Sequence, residues 1–203
     1  MVSEIFDNNA ICFCIGPICQ TDKMFPLFLS MRKDFFIDKI TNSIDDARSG
    51  RSFETEILPV TAKDLKKVLK KNGWQFNWRK EFELKERKLY KLVLKEHSAI
   101  EGLISYQIEE NYIEMHLIET APHNFGASKK FVGVPANLVA YACKTSFDLD
   151  FDGYVAFTSK TQLIKHYIDT LGAELIFRNR MIISGKAAKK LVNSYYKDYF
   201  SGK

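Results

Sequence analysis

Residues 112–124 read YIEMHLIETAPHN, residues 125–130 read FGASKK, and residues 131–144 read FVGVPANLVAYACK. The first run is apolar and rich in strand formers, so Tyr112 to Glu119 reads as a buried central strand. In the last run Leu138, Val139, Ala142 and Cys143 recur at helical spacing. Pro135 suits a helix start, because its missing N–H would be an orphan there. Between strand and helix lies Lys130-Phe-Val-Gly133-Val-Pro135. Gly133 lets the backbone come close to a ligand, and the first free amides of a helix point into that space. Together these parts are a recipe for holding a phosphate or pyrophosphate.

Two more strands precede the central one on tight turns, Lys88 to Glu96 and Gly102 to Ile108, so the three read as an antiparallel meander. Upstream, Phe53 to Val60 reads as a strand, and the turn signal at Arg48 to Ser52 suggests a hairpin or a helix-turn-strand before it. Thr61 is expected to cap a helix from Ala62 to Lys71 that ends at Asn72-Gly73. Downstream come a helix from Ala136 to about Phe147, a strand from Asp152 to Phe157, a helix from Lys160 to Leu171 ended by Gly172, one strand from Ala173 to Ser184, and an amphipathic helix from Lys186 to Phe200. Residues 1–35 carry no motif and read as an extension; residues 36–203 read as one α/β domain.

The chain has 203 residues, 46% hydrophobic and 27% charged, which suits a folded domain with a real core. The net charge of +5 fits either an ordinary basic surface or attraction to an anion. Glu4 and Asp7 sit where a signal peptide would be positive, and no apolar run is long enough to span a bilayer, so a cytoplasmic protein without a membrane segment is expected. Cys12, Cys14 and Cys19 do not have zinc-site spacing, and free thiols are the expected state; no metal site is expected. Lys63, Lys66, Lys67, Lys70 and Lys71 beside Trp74 and Trp78 could face nucleic acid. Glu81, Glu83 and Glu86 interrupt that run and favour a solvated face, so nucleic acid is disfavoured as a partner.

The stretch from Lys130 to Pro135 resembles the pyrophosphate loop of the GNAT superfamily of N-acetyltransferases, which runs Arg/Gln-x-x-Gly-x-Gly/Ala between the fourth strand and the third helix. Here Lys130 replaces the first residue and Pro135 the last. The order of elements from about Phe53 to Ser184 is similar to that superfamily too. A second signature, Asn-x-x-Ala-x-x-x-Tyr then Gly-Phe, is matched at Tyr167, with Lys160 at the Asn position and one residue more before Gly172. The resemblance implies a mixed, largely antiparallel central sheet flanked by helices, with acetyl-CoA as co-substrate. It implies that acetyl-CoA is held by Ile118 and Thr120 on the central strand, by Lys129, Lys130, Phe131, Val132, Gly133 and Val134, by Pro135, Ala136 and Asn137 at the helix start, and by Lys160.

In many members the tyrosine matched by Tyr167 protonates the leaving thiolate; a plain core tyrosine is the competing reading. Glu119 is the candidate base, with a strand-edge carboxylate paired to lysine as its competitor. His123 and Asn124 either reach the acceptor or turn the chain. The implied reaction is direct attack of an amine, small molecule or peptide, on acetyl-CoA. The alternative is a CoA-binding or regulatory module of the same shape without catalysis, suggested by the departures at Lys130 and Pro135. The acceptor pocket is expected between Trp74–Trp78 and the loop after Ile118. A homodimer is left open by the resemblance.

Overall fold

The computed structural model describes residues 35–40, 43–95 and 97–202; the extension expected over residues 1–35, with Cys12, Cys14 and Cys19, lies outside them except for Phe35. A seven-stranded sheet forms the middle of the molecule, in the order β3 (Thr55–Pro59), β4 (Arg87–Leu94), β5 (Ile100–Ile108), β6 (Ile113–Thr120), β8 (Val155–Thr158), β10 (Arg180–Ile183) and β9 (Glu174–Phe177). Every neighbouring pair is antiparallel except β6 and β8, which run parallel. A small sheet of β1 (Ile44–Asp46), β2 (Ser52–Phe53) and β7 (Phe131–Val132) stands beside it. The helices are α1 (Trp78–Glu83), α2 (Val134–Asp148), α3 (Ile164–Leu171) and α4 (Gly185–Tyr195). This is the mixed, largely antiparallel sheet flanked by helices that the sequence led us to expect.

The sheet is covered on both faces because alternate residues of its central strands are apolar on both sides. On β5, Ile104 and Tyr106 join the main core with Leu138, Val139 and Cys143 of α2. Leu103 points the other way, into a second cluster with Leu65, Val68, Trp74 and Trp78. Gly102 sets how closely α2 lies on the sheet. A Cβ there would come within 2.6 Å of Val134 Cγ1 and 3.1 Å of Leu138 Cδ1, so only glycine lets the first turn of α2 sit against β5.

Three local expectations are corrected. Residues 62–71 do not form an α-helix; they form two short 3₁₀ turns, Asp64–Lys66 and Lys70–Asn72, parted by an extended Leu69. Lys63, Lys66, Lys67, Lys70 and Lys71 stand at the spacings where like charges repel on a helix. Asp64, the acid among them, is drawn off by Lys91 at 2.7 Å. Thr61 and Asp64 bond each other, Thr61 N–H donating to Asp64 Oδ2 at 2.8 Å and Asp64 N–H to Thr61 Oγ1 at 3.4 Å, but the N-cap of the first turn is Lys63, not Thr61. Ala173 to Ser184 is two strands, β9 and β10, because Arg178 adopts a left-handed conformation at φ 51° and reverses the chain there with Asn179. The last helix ends at Tyr195, short of the expected Phe200. No helix among the described residues is long and apolar enough to cross a membrane.

Candidate active site at the parting of β6 and β8

β6 and β8 pair at only two positions, Ile113 with Val155 and Glu114 with Ala156. The cause lies in β6. Its register against β5 shifts between Met115, opposite Tyr106, and Leu117, opposite Ser105, so His116 is an additional residue. A bulge of this kind reverses which side of a strand each amide faces and bends the strand. Two bonds show the reversal. Ile113 N–H donates to Tyr154 O beside β8, whereas Ala121 N–H, an even number of residues later, donates to Glu101 O on β5. Counting back from Ala121 by alternation, the amides of Ile118 and Thr120 face away from β5, into the opening where β8 has left.

The opening leads to the start of α2. Gly133 is its N-cap, left-handed at φ 87°, with Val134 and Pro135 as the first two helical residues. The helix therefore starts two residues before the expected Ala136, and Pro135 stands at its second position, still within the turn that has no use for an intrahelical N–H. The loop before it is fixed from below. Glu101, buried on β5, bonds His123 Nε2 at 2.6 Å and Asn124 Nδ2 at 2.8 Å. Asn124 Oδ1 accepts from Phe131 N–H at 3.1 Å, and His123 O accepts from Lys130 N–H at 2.9 Å. From the side, β1 pairs with β7, and Ala47 N–H donates to Lys130 O at 2.8 Å.

This cradle holds an anionic group of the chain itself. Asp38 Oδ1 accepts from Gly133 N–H at 2.9 Å, and Asp38 Oδ2 meets Lys129 Nζ at 2.9 Å. The segment leading to Asp38 lies against β8 and α3. Phe35 packs on Phe157 and Tyr167, and its carbonyl accepts the Tyr167 hydroxyl. Ile37 is buried, and its N–H donates to His166 Nε2 at 2.9 Å. Phe36 stacks on the His166 ring at 4.0 Å. Burial pushes the His166 imidazole below its ordinary pKa, with Asp169 pulling the other way, which suits the neutral, accepting form that this bond needs.

A cleft of about 360 Å³ opens beside this segment. Ile118, Glu119, Thr120, Lys129 and Pro135 line it, facing Gln75 and Phe76 across the space. It lies between the segment at Gly73–Phe76 and the end of β6 from Ile118 to Thr120. Glu119 is held firmly there: its carboxylate accepts from Gln75 N–H at 2.5 Å, Phe76 N–H at 3.3 Å and the Trp78 indole N–H at 2.7 Å. Three N–H donors aimed at one carboxylate suit its ionised form and tie the 75–78 loop to β6.

The other candidate residues divide. Tyr167 is fully buried, and its hydroxyl donates to the Phe35 carbonyl. Val132 pairs with Asp45, and Phe131 packs edge-on against Phe53. The Lys130 ammonium lies over the Phe131 ring at 4.9 Å, and Asn137 turns its amide to Thr55 Oγ1 at 2.9 Å. Val134 and Ala136 are buried in the first turn of α2. Lys160 precedes the turn Thr161–Leu163, its carbonyl accepting from Leu163 N–H at 2.9 Å. Cys143 is fully buried, and burial pushes its thiol pKa well up. Among the described residues there is no group of three or more His, Cys, Asp or Glu that could hold a metal.

Sequence reasoning missed Asp38, His166's link to Ile37, and the anchoring by Glu101. Asp38 lies more than ninety residues from both its partners, and a single acid after Phe35-Phe36-Ile37 carries no signal of its own. Glu101 falls just before the strand expected from Gly102, and β5 begins earlier, at Ile100, which carries its carboxylate inside.

No protein-family profile and no curated protein matches the sequence. Several solved structures are similar in arrangement. Spermidine/spermine N-acetyltransferase SpeG from Vibrio cholerae, in complex with manganese ions, has a TM-score of 0.48 at 16% identity, over 67% of this chain and 95% of that one. AtaTR bound with acetyl-CoA has a TM-score of 0.48 at 14% identity, over 68% and 97%. The KacTA–DNA complex has a TM-score of 0.46 at 13% identity, over 68% and 98%. Scores and identities this low leave the functional reading to rest on this chain's own geometry.

Proposed function

We propose that this protein is an acetyl-CoA-dependent N-acetyltransferase that moves the acetyl group to an amine by direct attack. The observation that carries the proposal is the parting of β6 from β8 after Glu114 and Ala156, which turns the Ile118 and Thr120 amides into an opening that ends at the N-cap of α2. Charge develops on the thioester oxygen in the transition state, and a fixed backbone N–H is the donor that stabilises it. In this reading Ile118 or Thr120 supplies that donor. The pyrophosphate lies where Asp38 now does, held by Gly133 N–H, the Lys129 ammonium and the first turn of α2. A carboxylate resting on the same two donors supports the fit of an anionic group.

The amine enters from the cleft beside Gln75 and Phe76. Its proton leaves to Glu119 or to a water held there, since the attacking nitrogen must be neutral. Tyr167 gives its proton to the leaving thiolate once Phe35 has moved aside. Lys130, Phe131, Val132, Asn137 and Lys160 shape the loop and helix starts around the ligand. Among the described residues a covalent route has no supporter, because the buried Cys143 thiol is inert where it sits. Isothermal titration with acetyl-CoA, followed by thiol release over a panel of amines, tests the proposal. Saturable binding and turnover with intersecting steady-state lines are expected; absence of binding at high micromolar acetyl-CoA would defeat it.

A CoA-binding module without catalysis is the second reading. It is favoured by the Tyr167 hydroxyl being engaged by Phe35. Binding of acetyl-CoA with no thiol release on any amine would select it.

A further inference from the structure

One short segment engages the Gly133 N–H at the start of α2, the Lys129 ammonium and the Tyr167 hydroxyl on α3. Phe35 takes the Tyr167 hydroxyl, Ile37 gives its N–H to His166, and Asp38 takes Gly133 and Lys129. We propose that residues 35–38 are an internal competitor of acetyl-CoA: the Asp38 carboxylate stands in for the pyrophosphate and Phe35 stands in for the chain that leads to the thioester. The proposal rests on the acetyl-CoA reading above and adds regulation to it.

The chemistry of the contacts supports competition over simple packing. Asp38 uses both carboxylate oxygens, one on a backbone amide at a left-handed N-cap and one on a lysine, which is how a phosphate oxygen pair would be met. The phenolic hydroxyl placed to donate a proton donates instead to a peptide carbonyl. Phe36, between two engaged residues, is mostly exposed and stacks on His166. The polar contacts at Asp38 and Phe35 are separable, and Ile37 is the buried anchor that a ligand has to lift or leave in place. The apparent affinity of the ligand is then lowered by the fraction of molecules with the segment in place.

The test compares acetyl-CoA affinity by titration calorimetry for the full chain and for Asp38→Asn and Phe36→Ala. Asp38→Asn is expected to bind about tenfold tighter and Phe36→Ala about threefold tighter, because each frees the segment. Phe36→Ala changes no charge, so its gain separates competition from the lost repulsion of an acid. The Asp38→Asn gain should also persist at about 0.5 M salt, where exposed charges are screened. Amide hydrogen exchange without ligand gives a second readout: Ile37 and Gly133 should lose protection in Asp38→Asn. Equal affinities in all three proteins, or unchanged protection, would overturn the competitor while leaving the acetyl-CoA reading intact. Failure of all three to bind acetyl-CoA would overturn the reading itself, and the competition with it.

Discussion

The two halves of β6 face the same neighbour and do opposite things. At the first half, Ile113 and Glu114 pair with β8, and Arg180 of β10 grips Glu114 through both guanidinium nitrogens, one at 2.5 Å. At the second half, Ile118 to Thr120 pair with no strand on that side among the described residues, and the segment at residues 35–38 bonds Gly133 and Tyr167. The composition of the halves does not differ enough to explain this. One additional residue, His116, reverses the amides and turns the strand, so a closed sheet edge becomes a site within four residues. Opening a sheet in its middle leaves backbone donors without partners, and something polar must meet them. In our reading a ligand meets them, while the chain's own segment 35–38 engages Gly133, Lys129, His166 and Tyr167 beside the opening.

Breaking the open half should have the largest effect. Gly133→Asp places a side chain and a negative charge at a left-handed N-cap where an anion is to sit; acetyl-CoA binding should fall below detection by calorimetry while circular dichroism stays folded. Glu119→Gln removes an ionised acceptor from three N–H donors and should destabilise the fold by about 3 kcal/mol in urea unfolding. Tyr167→Phe should slow turnover about tenfold or more with little change in acetyl-CoA affinity, since in our reading its hydroxyl acts on the leaving group. On the closed half, Glu114→Gln loses the charge met by Arg180 and should cost about 1–2 kcal/mol of stability, with acetyl-CoA affinity unchanged. A fall in affinity as large as that of Gly133→Asp would show that the halves are not separable.

The smallest effect concerns pH. His166 is held neutral by burial and accepts from Ile37, and a protonated ring cannot accept. Its folded pKa lies below the unfolded value, so its contribution is present above about pH 6.5 and is lost as pH falls through the depressed value. Ile37 amide protection should drop severalfold beyond the intrinsic exchange trend between about pH 7.5 and about pH 5.5. In His166→Gln, where no proton can be taken up, that additional drop should vanish.

The sequence was informative wherever the cause is local. The β4–β5–β6 meander follows from alternation, Gly133 from the turn into α2, and Gly172 from the end of α3. It was uninformative where the cause is a count or a distance. The bulge at His116 leaves the apolar pattern of β6 readable either way, so neither the parting from β8 nor the outward amides could be seen. Asp38 meets Gly133 and Lys129 only because the fold returns the chain to them. The lysine run at 63–71 shows the reverse error, a good apolar stripe at Leu65 and Val68 overruled by charge repulsion.

The central claim is that a ligand takes the place of the chain at the open half of β6. Nitrogen–proton NMR on the full chain, following the Gly133 and Ile37 amides as acetyl-CoA is added, tests it most directly. We predict that both resonances move together and saturate, Gly133 because its acceptor changes from carboxylate to phosphate and Ile37 because its bond to His166 is lost, while Ile113 at the closed half stays still. Gly133 and Ile37 resonances unmoved at saturating acetyl-CoA, or the absence of saturation altogether, would contradict the account.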